Sequence, residues 1–267
     1  MTHPHETWAA GAAYEAYVGR WSRPVAQAFL RWLEVPAGGR WLDVGCGTGA
    51  LTATVLAVAN PAEVIGVDTS EGFLAHARTL ISDPRAAFHA GDARSLPLPG
   101  RRFDAVVSGL ALNFVPDPAP RRDRVGPGSP RRAAWSPPTS GTTPVAWPCC
   151  ATSGTPPPRS TPQRPHWTRG VVSRCAGPNL LPGCGRRAGL GEVEVRAVEV
   201  ATVFAGFDDY WRPFLGGQGP APGYLASLTE EHRRALRDLL RARLPSGPDG
   251  SIPLTARCWA VRGVQLG

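Results

Sequence analysis

The stretch WLDVGCGTGALT, residues 41–52, combines an acidic residue with three glycines at every second position. Asp43 ends a short apolar run, and Gly45, Gly47 and Gly49 follow it before residues that favour a helix. Glycine permits a positive φ and lets a ligand approach backbone that a Cβ would shield. A turn of this kind, between a buried strand and a helix, brings bare backbone N–H groups close to a ligand. The pattern therefore predicts a small-molecule site at the end of a strand.

Two interpretations of this turn compete. Gly45, Gly47 and Ala50 can be matched to the dinucleotide fingerprint G-x-G-x-x-G/A, which would indicate a nicotinamide-dependent oxidoreductase. Asp43, however, lies two residues before the first glycine, where its carboxylate would repel a pyrophosphate. A carboxylate in that place suits a ligand with an ammonium or sulfonium centre. Asp43 therefore favours a site for a cationic ligand. A nicotinamide-dependent oxidoreductase is the alternative interpretation.

Further motifs follow in a fixed order along the chain. VIGVD ends in Asp68, AGDAR contains Asp92, and FDAVVSGLALNFVPDP begins at Phe103. Together with DVGCGTG, they resemble the class I S-adenosylmethionine-dependent methyltransferases of the type 11-like kind. The resemblance implies a Rossmann-like, doubly wound α/β fold with S-adenosylmethionine as cofactor. It also implies transfer of a methyl group to a small-molecule acceptor.

The resemblance assigns roles to individual residues. The glycine turn would pack against the methionine part of the cofactor with Asp43 behind it, and Asp68 would bind the ribose hydroxyls. Asp92 and Ala93 would hold the adenine, whereas Cys46 would be a small filler of the turn and not a nucleophile. A reactive acceptor needs no protein nucleophile, so no catalytic residue is assigned. The expected cofactor-binding residues are Asp43, Gly45, Cys46, Gly47, Gly49, Asp68, Thr69, Asp92, Ala93 and Ser108.

The elements that position these residues alternate between apolar runs and helical patterns. Such alternation predicts βαβ units and a parallel sheet whose ligand binds beyond the carboxyl ends of the strands. The family's sheet order would be 3-2-1-4-5-7-6, with strand 7 antiparallel. Ser70 and Thr229 are the expected N-caps of two helices. The predicted organisation is an N-terminal helical lid (1–36), the cofactor-binding half (37–117), an anomalous segment (118–186) and C-terminal strands with a helical insertion (187–267).

Two helical regions are expected to close over the site. Residues 13–35 carry apolar residues at three- and four-residue spacing, which predicts one or two amphipathic helices with Pro24 as a candidate break. The insertion FDDYWRPFLGGQGPAPGYLASL, between the last two strands, is expected to cover the acceptor. Tyr210 and Trp211 are its candidate substrate-contacting residues, and a plain core role is the alternative.

The anomalous segment breaks every pattern around it. Residues 116–185 hold 16 of the 29 prolines and 4 of the 6 cysteines, and no helical or strand period survives. Residues 121–187 hold 11 of the 29 basic residues but only one acid, so the net charge of +8 comes from this region. Because the family has a Pro-Gly-Gly turn and a fifth strand here, we predict that this strand is missing or disordered. We interpret residues 120–186 as a frameshifted segment of the coding sequence.

Two other interpretations of that segment stay open. It could be a disordered basic insertion that binds nucleic acid, or Pro148-Cys149 could supply the nucleophile of a cytosine-C5 methyltransferase. Against a nucleic-acid substrate, no [DN]-P-P-[FYW] motif follows the fourth strand. The partner we expect is therefore a small-molecule methyl acceptor, and nucleic acid is not expected.

The remaining sequence features bound the location of the protein. There is no apolar run long enough to cross a bilayer. The N-terminus lacks the basic-then-apolar order of a signal peptide. The cysteine spacing fits no zinc pattern. We expect a cytoplasmic protein with no membrane partner and no metal, and the sequence does not determine its oligomeric state.

Overall fold

The computed structural model describes residues 15–111, 144–150, 190–216 and 220–265, with Pro182 and Arg186 as isolated positions. Seven strands of this described part form one sheet. In chain order they are β1 (Arg40–Val44), β2 (Glu63–Asp68), β3 (Ala86–Ala90), β4 (Ala105–Val107), β5 (Pro144–Cys150), β6 (Leu190–Phe204) and β7 (Ile252–Gln265).

The order across the sheet is β3-β2-β1-β4-β5-β7-β6. The pairs that β1 to β5 form with one another are all parallel, whereas β7 runs antiparallel to both β5 and β6. This confirms the expected doubly wound sheet and its antiparallel last strand. The carboxyl ends of β1, β2 and β4 therefore meet at one edge, where ligands bind in sheets of this kind.

The helices include the expected N-terminal and insertion elements. A π-helical turn (Glu15–Gly19) leads into α1, and a 3-10 turn (Arg212–Gly216) follows α4. The α-helices of the described ranges are α1 (Arg20–Leu33), α2 (Ala50–Val58), α3 (Glu71–Leu80), α4 (Phe207–Trp211), α5 (Pro220–Ser227) and α6 (Glu230–Arg243).

Both predicted N-caps are present. The Ser70 hydroxyl accepts a hydrogen bond from the Phe73 N–H at 3.3 Å, and Thr229 accepts one from the His232 N–H at 3.3 Å. Helix α1 continues through Pro24, so Pro24 is not a break. The change of helix type lies instead at Gly19, where the π-helical turn ends.

The core lies on both faces of the sheet. Trp41, Val64 and Val107 pack under α1 and α2 on one face. Leu42 and Ile65, the alternate residues of β1 and β2, pack on the other. Strands covered on both faces read as continuous apolar runs, which is why β1 and β2 could be recognised from sequence.

The prediction that the fifth strand is missing or disordered is wrong for residues 144–150. These residues form β5, which pairs with β4 through Val106↔Val145 and Val107↔Ala146. On its other side β5 pairs with β7 over seven residues. Prolines at 144 and 148 argue against an interior strand, but both lie outside the two residue pairs that β5 shares with β4.

The rest of residues 118–186, apart from Pro182 and Arg186, lies outside the described residues. The predictions of a frameshift and of nucleic-acid binding fall largely on this segment and stay predictions. Cys149 lies in β5, but its side chain is outside what the structure describes, so its role stays a prediction too. In the ranges that the structure does describe, no helix combines the length and the apolar character needed to cross a membrane.

Candidate cofactor-binding site

The turn between β1 and α2 needs its glycines. Gly45 has φ +72°, and a Cβ on it would collide with the Cβ of Ala111. Gly47 has φ +54°, and nothing lies within 4 Å of the place its Cβ would occupy. The turn is therefore tightly packed at its first glycine and open at its second. The open space in front of Gly47 is where a ligand can approach the backbone.

The N–H groups of this turn are already bonded inside the protein. Gly45 and Cys46 donate to the carbonyl oxygen of Val67 at 2.7 and 3.1 Å, and Gly47 donates to Oδ2 of Asp68 at 2.9 Å. The expectation of bare N–H groups is wrong for these three residues, because the end of β2 runs beside the turn and supplies their acceptors. A pyrophosphate would have to displace these acceptors, which disfavours the dinucleotide interpretation.

Asp43 lies under the turn and is completely buried. Its Oδ2 accepts a hydrogen bond from the Thr52 hydroxyl of α2 at 2.7 Å. Its Oδ1 has no hydrogen-bond partner among the described residues. Burial raises the pKa of Asp43 to about 7; the charge of Asp68 adds to this rise and the hydrogen bond from Thr52 opposes it. A positive ligand beside Oδ1 would favour the ionised carboxylate.

Asp68 lies at the end of β2, next to the turn. Its Oδ1 accepts from the Ser70 N–H at 2.8 Å, and its Oδ2 accepts from the Gly47 N–H. An ionised carboxylate offers about four acceptor positions, so about two remain for hydroxyl groups of a ligand. Thr69, the next residue, is exposed.

Asp92 and Ala93 follow β3 at the same edge of the sheet. Arg94 holds Asp92 in a bidentate ion pair, with Nε 3.0 Å from both carboxylate oxygens. The Arg94 hydrogen bonds lower the pKa of Asp92 to about 2, so it is ionised at neutral pH. About a third of the Asp92 side chain is exposed, so a ligand amine can reach it by competing with Arg94.

Ser108 and Cys46 are buried at the centre of the site. The Ser108 hydroxyl lies at the end of β4 and has no hydrogen-bond partner in the described ranges. The Cys46 side chain faces Gly66 of β2, where a Cβ would lie 2.9 Å from its Sγ. Burial raises the pKa of the Cys46 thiol, and the charges of Asp43 and Asp68 add to the effect. A buried thiol of this kind is unreactive, which agrees with the filler role expected for Cys46.

A cleft of about 470 Å³, its open mouth included, lies between the glycine turn and α1. Gly109 and Leu110, which follow Ser108, form part of its wall. The opposite wall belongs to α1, through Ser22, Val25, Ala26 and Phe29. Sequence analysis predicted an amphipathic helix here but missed these residues, because periodicity marks a buried face and not what that face covers.

A family model described as a methyltransferase domain matches residues 42–122, which include Asp43, the glycine turn, Asp68 and Asp92. This segment is thus similar to a methyltransferase domain, in agreement with the resemblance that its motifs carry. The matched segment contains all ten residues that the motifs predict to bind the cofactor.

Curated methyltransferases are similar to part of the chain. Trans-aconitate 2-methyltransferase of Methylobacterium radiotolerans is 38% identical over 108 residues, which are 40% of each chain. Demethylmenaquinone methyltransferase of a Roseiflexus species is 38% identical over 82 residues, 31% of this chain and 34% of the relative. The chain thus spans two fifths or less of the length of these relatives.

A putative methyltransferase from Bacillus halodurans has a similar solved structure. The TM-score is 0.54 at 14% identity, and the match covers 91% of this chain and 99% of the other. At this identity the likeness concerns the fold alone.

The described residues around the cleft fit S-adenosylmethionine, the cofactor that the resemblance implies. Asp43 has a buried oxygen without a partner for a cationic ligand, and Gly47 leaves open space above the turn. Asp68 has acceptor positions left for the ribose hydroxyls. An acidic and apolar site of this kind matches a ligand with a sulfonium and an ammonium group better than one with phosphates.

A second group of residues at the turn was missed in the sequence. The Thr48 hydroxyl donates to Oε1 of Glu15 at 2.5 Å, and Arg23 contacts Oε2 of Glu15 at 3.2 Å. Gly19 makes room for this carboxylate, since a Cβ there would lie 2.6 Å from the Glu15 Cδ. Glu15 and Gly19 are one helical turn apart, a spacing that lets the Glu15 side chain lie over the glycine. Nothing in that spacing indicates that Glu15 contacts Thr48.

Tyr210 and Trp211 lie in α4 and are not part of the cleft wall. Trp211 is buried and stacks on Phe207, with ring centroids 6.0 Å apart and planes 16° apart. Tyr210 is half buried and packs edge-on against Phe204 at 5.2 Å. Both rings thus belong to an aromatic cluster within the insertion, and their contact with an acceptor stays a prediction.

Proposed function

We propose that this chain transfers a methyl group from S-adenosylmethionine to a small organic acceptor. The observation that carries the proposal is the buried carboxylate of Asp43, whose Oδ1 has no partner among the described residues and lies under the glycine turn. An unpaired buried acceptor is costly, and a cationic ligand would remove that cost.

The residues of the chain would position the cofactor and keep water away from it. Asp43 would face the charged methionine part, Asp68 would bind the ribose hydroxyls, and Asp92 with Ala93 would hold the adenine. Bound S-adenosylmethionine supplies an electrophilic methyl group on its sulfonium sulfur. The wall formed by Val25, Ala26 and Phe29 of α1 is apolar, which favours exclusion of water from the cleft.

The acceptor is proposed to enter beside the insertion between β6 and β7. The relatives named above are called trans-aconitate and demethylmenaquinone methyltransferases, so small carboxylic acids and quinones are the first classes to test. Tyr210 and Trp211 are proposed to cover the acceptor from the insertion, in addition to their packing within it.

Ligand-induced thermal stabilisation of the full chain tests the cofactor. S-adenosylhomocysteine and S-adenosylmethionine at about 100 times their dissociation constants would stabilise the fold by about 2.7 kcal/mol, whereas NAD would not. Asp68→Ala, which removes the acceptor of the ribose hydroxyls, should abolish the shift. A shift with NAD alone would overturn the proposal in favour of an oxidoreductase.

Methyl transfer is then tested by incubation of the chain with isotopically labelled S-adenosylmethionine and each acceptor class. Label in a small carboxylic acid or a quinone supports the proposal. Label in RNA or DNA, together with steeply salt-dependent binding of the full chain to that nucleic acid, would overturn the small-molecule assignment.

A further inference from the structure

Two segments that are distant in sequence meet at the start of α1. Both guanidinium nitrogens of Arg20, at the start of α1, donate to the carboxylate of Asp209 in α4, at 2.8 and 3.0 Å. The Ala205 N–H donates to Oδ2 of the same carboxylate at 3.0 Å. The Ala205 N–H thus orients the Asp209 carboxylate from within the same segment. Two parallel hydrogen bonds join this carboxylate to α1, and this bidentate geometry is the strongest that an arginine and a carboxylate form.

Aromatic rings surround this ion pair. The guanidinium of Arg20 lies 4.6 Å from the Trp21 ring centre and 5.2 Å from that of Phe204. The rings of Trp21 and Phe204 are themselves in edge contact, 5.2 Å apart. The Arg20 hydrogen bonds lower the pKa of Asp209, so the pair is ionised at neutral pH. The contact therefore combines an ion pair with cation–π contacts.

Helix α1 connects this contact to the cleft. Its residues Ser22, Val25 and Ala26 form part of the cleft wall. Arg20 projects from the opposite side, as 3.6 residues per turn require. A shift of the start of α1 would move this wall relative to the glycine turn. The described contacts at that start include the Glu15 hydrogen bond with Thr48, the Arg20 ion pair with Asp209 and the edge contact of Trp21 with Phe204.

We propose that Arg20 and Asp209 are positioning residues for cofactor binding, because their ion pair fastens α1, one wall of the cleft, to the insertion between β6 and β7. The inference rests on the proposed function. It joins the helix that covers the cofactor to the segment that is proposed to cover the acceptor. Neither residue touches the cleft itself.

The test is the binding of S-adenosylhomocysteine to the full chain by calorimetry, which gives the dissociation constant and the stoichiometry separately. Asp209→Asn and Arg20→Gln should each weaken binding about fivefold, the range of a half-exposed bidentate pair. The double variant should be no weaker than either single one, since the same pair is broken. A merely structural role would instead lower the stoichiometry and leave the dissociation constant unchanged.

Asp208→Asn is the matched control. Asp208 is the neighbour of Asp209 in α4 but pairs with Arg237 and Arg241 of α6, at 3.5 and 3.6 Å, and not with α1. It should bind S-adenosylhomocysteine as the unmodified chain does. Unchanged affinity in Asp209→Asn, or equal losses in Asp208→Asn and Asp209→Asn, would overturn the inference. No binding by the unmodified chain would instead overturn the proposed function.

Discussion

The Thr52 hydroxyl donates a hydrogen bond to Oδ2 of Asp43 at 2.7 Å, while Oδ1 of the same buried carboxylate has no partner among the described residues. One oxygen thus has a donor within the fold, and the other is the one proposed to face a cationic ligand. Burial raises the pKa of Asp43 to about 7. The carboxyl therefore changes charge close to neutral pH, and both cofactor affinity and stability should reflect this.

Binding of S-adenosylmethionine should tighten as the pH rises towards about 7. The cationic cofactor favours the ionised carboxylate, so below that pKa a proton must leave when it binds. The dissociation constant should fall by up to about tenfold per pH unit and level off above the pKa. Calorimetry between about pH 5 and pH 8 measures this. Asp43→Asn should bind weakly with no such slope; an equal slope in that variant would show that another group is responsible.

The stability of the free protein should change with pH in the opposite direction. The folded pKa of Asp43 is raised above its unfolded value of 3.8, so between the two the folded state binds the extra proton. Stability from this group is then present at low pH and lost as the pH rises to about 7, by up to about 1.4 kcal/mol per pH unit. Asp43→Asn should remove this loss. Denaturant melts at several pH values measure the free energy of unfolding of the variant and of the parent chain. If the two free energies differed by the same amount at every pH, Asp43 would not be the group responsible.

Gly47→Ala should separate folding from cofactor binding. Gly47 has φ +54° with open space around it, so alanine should cost about 1 kcal/mol of backbone strain. Gly38→Ala is the matched control, because Gly38 also has a positive φ and open space but lies before β1, outside the cleft wall. Both variants should lose similar stability in thermal melts, and only Gly47→Ala should fail to bind S-adenosylhomocysteine. Equal binding by the two would mean that the ligand does not approach Gly47.

The residues that sequence analysis predicted best belong to continuous motifs. Asp43, the glycine turn and Asp68 each lie at the end of a strand that its apolar run makes recognisable. Parallel pairing of β1 with β2 then brings these ends together, and the hydrogen bond between Gly47 and Asp68 is the direct result. The order of the strands followed from the family resemblance and not from their patterns.

The missed features depend on contacts between segments far apart in the chain. Glu15 with Thr48 and Arg20 with Asp209 join residues that no local period relates. The β5 strand was missed for a different reason. It contains two prolines, and the sequence around it lacks the apolar–polar alternation that is typical of a strand. Its pairing with β7 identifies it as a strand.

Thr52→Val tests the hydroxyl that donates to Asp43 among the described residues. Valine keeps the shape of threonine but removes the hydroxyl, so the buried carboxylate would lose that hydrogen bond and keep only its interaction with the backbone of residue 52. Because that hydrogen bond lowers the pKa of Asp43, its loss should raise the pKa and move the pH dependence of cofactor binding upward. At a pH above the pKa, the unmet carboxylate should cost about 1–3 kcal/mol of stability.

Thr54→Val is the control for this change. Thr54 is also buried in α2, but its hydroxyl donates to the Ala50 carbonyl of the same helix at 2.7 Å and not to the site. This variant should leave the pH dependence of S-adenosylmethionine binding where it is in the parent chain. If Thr52→Val and Thr54→Val moved it equally, the effect would come from α2 as a whole, and the Thr52 hydroxyl would not be what sets the charge of Asp43.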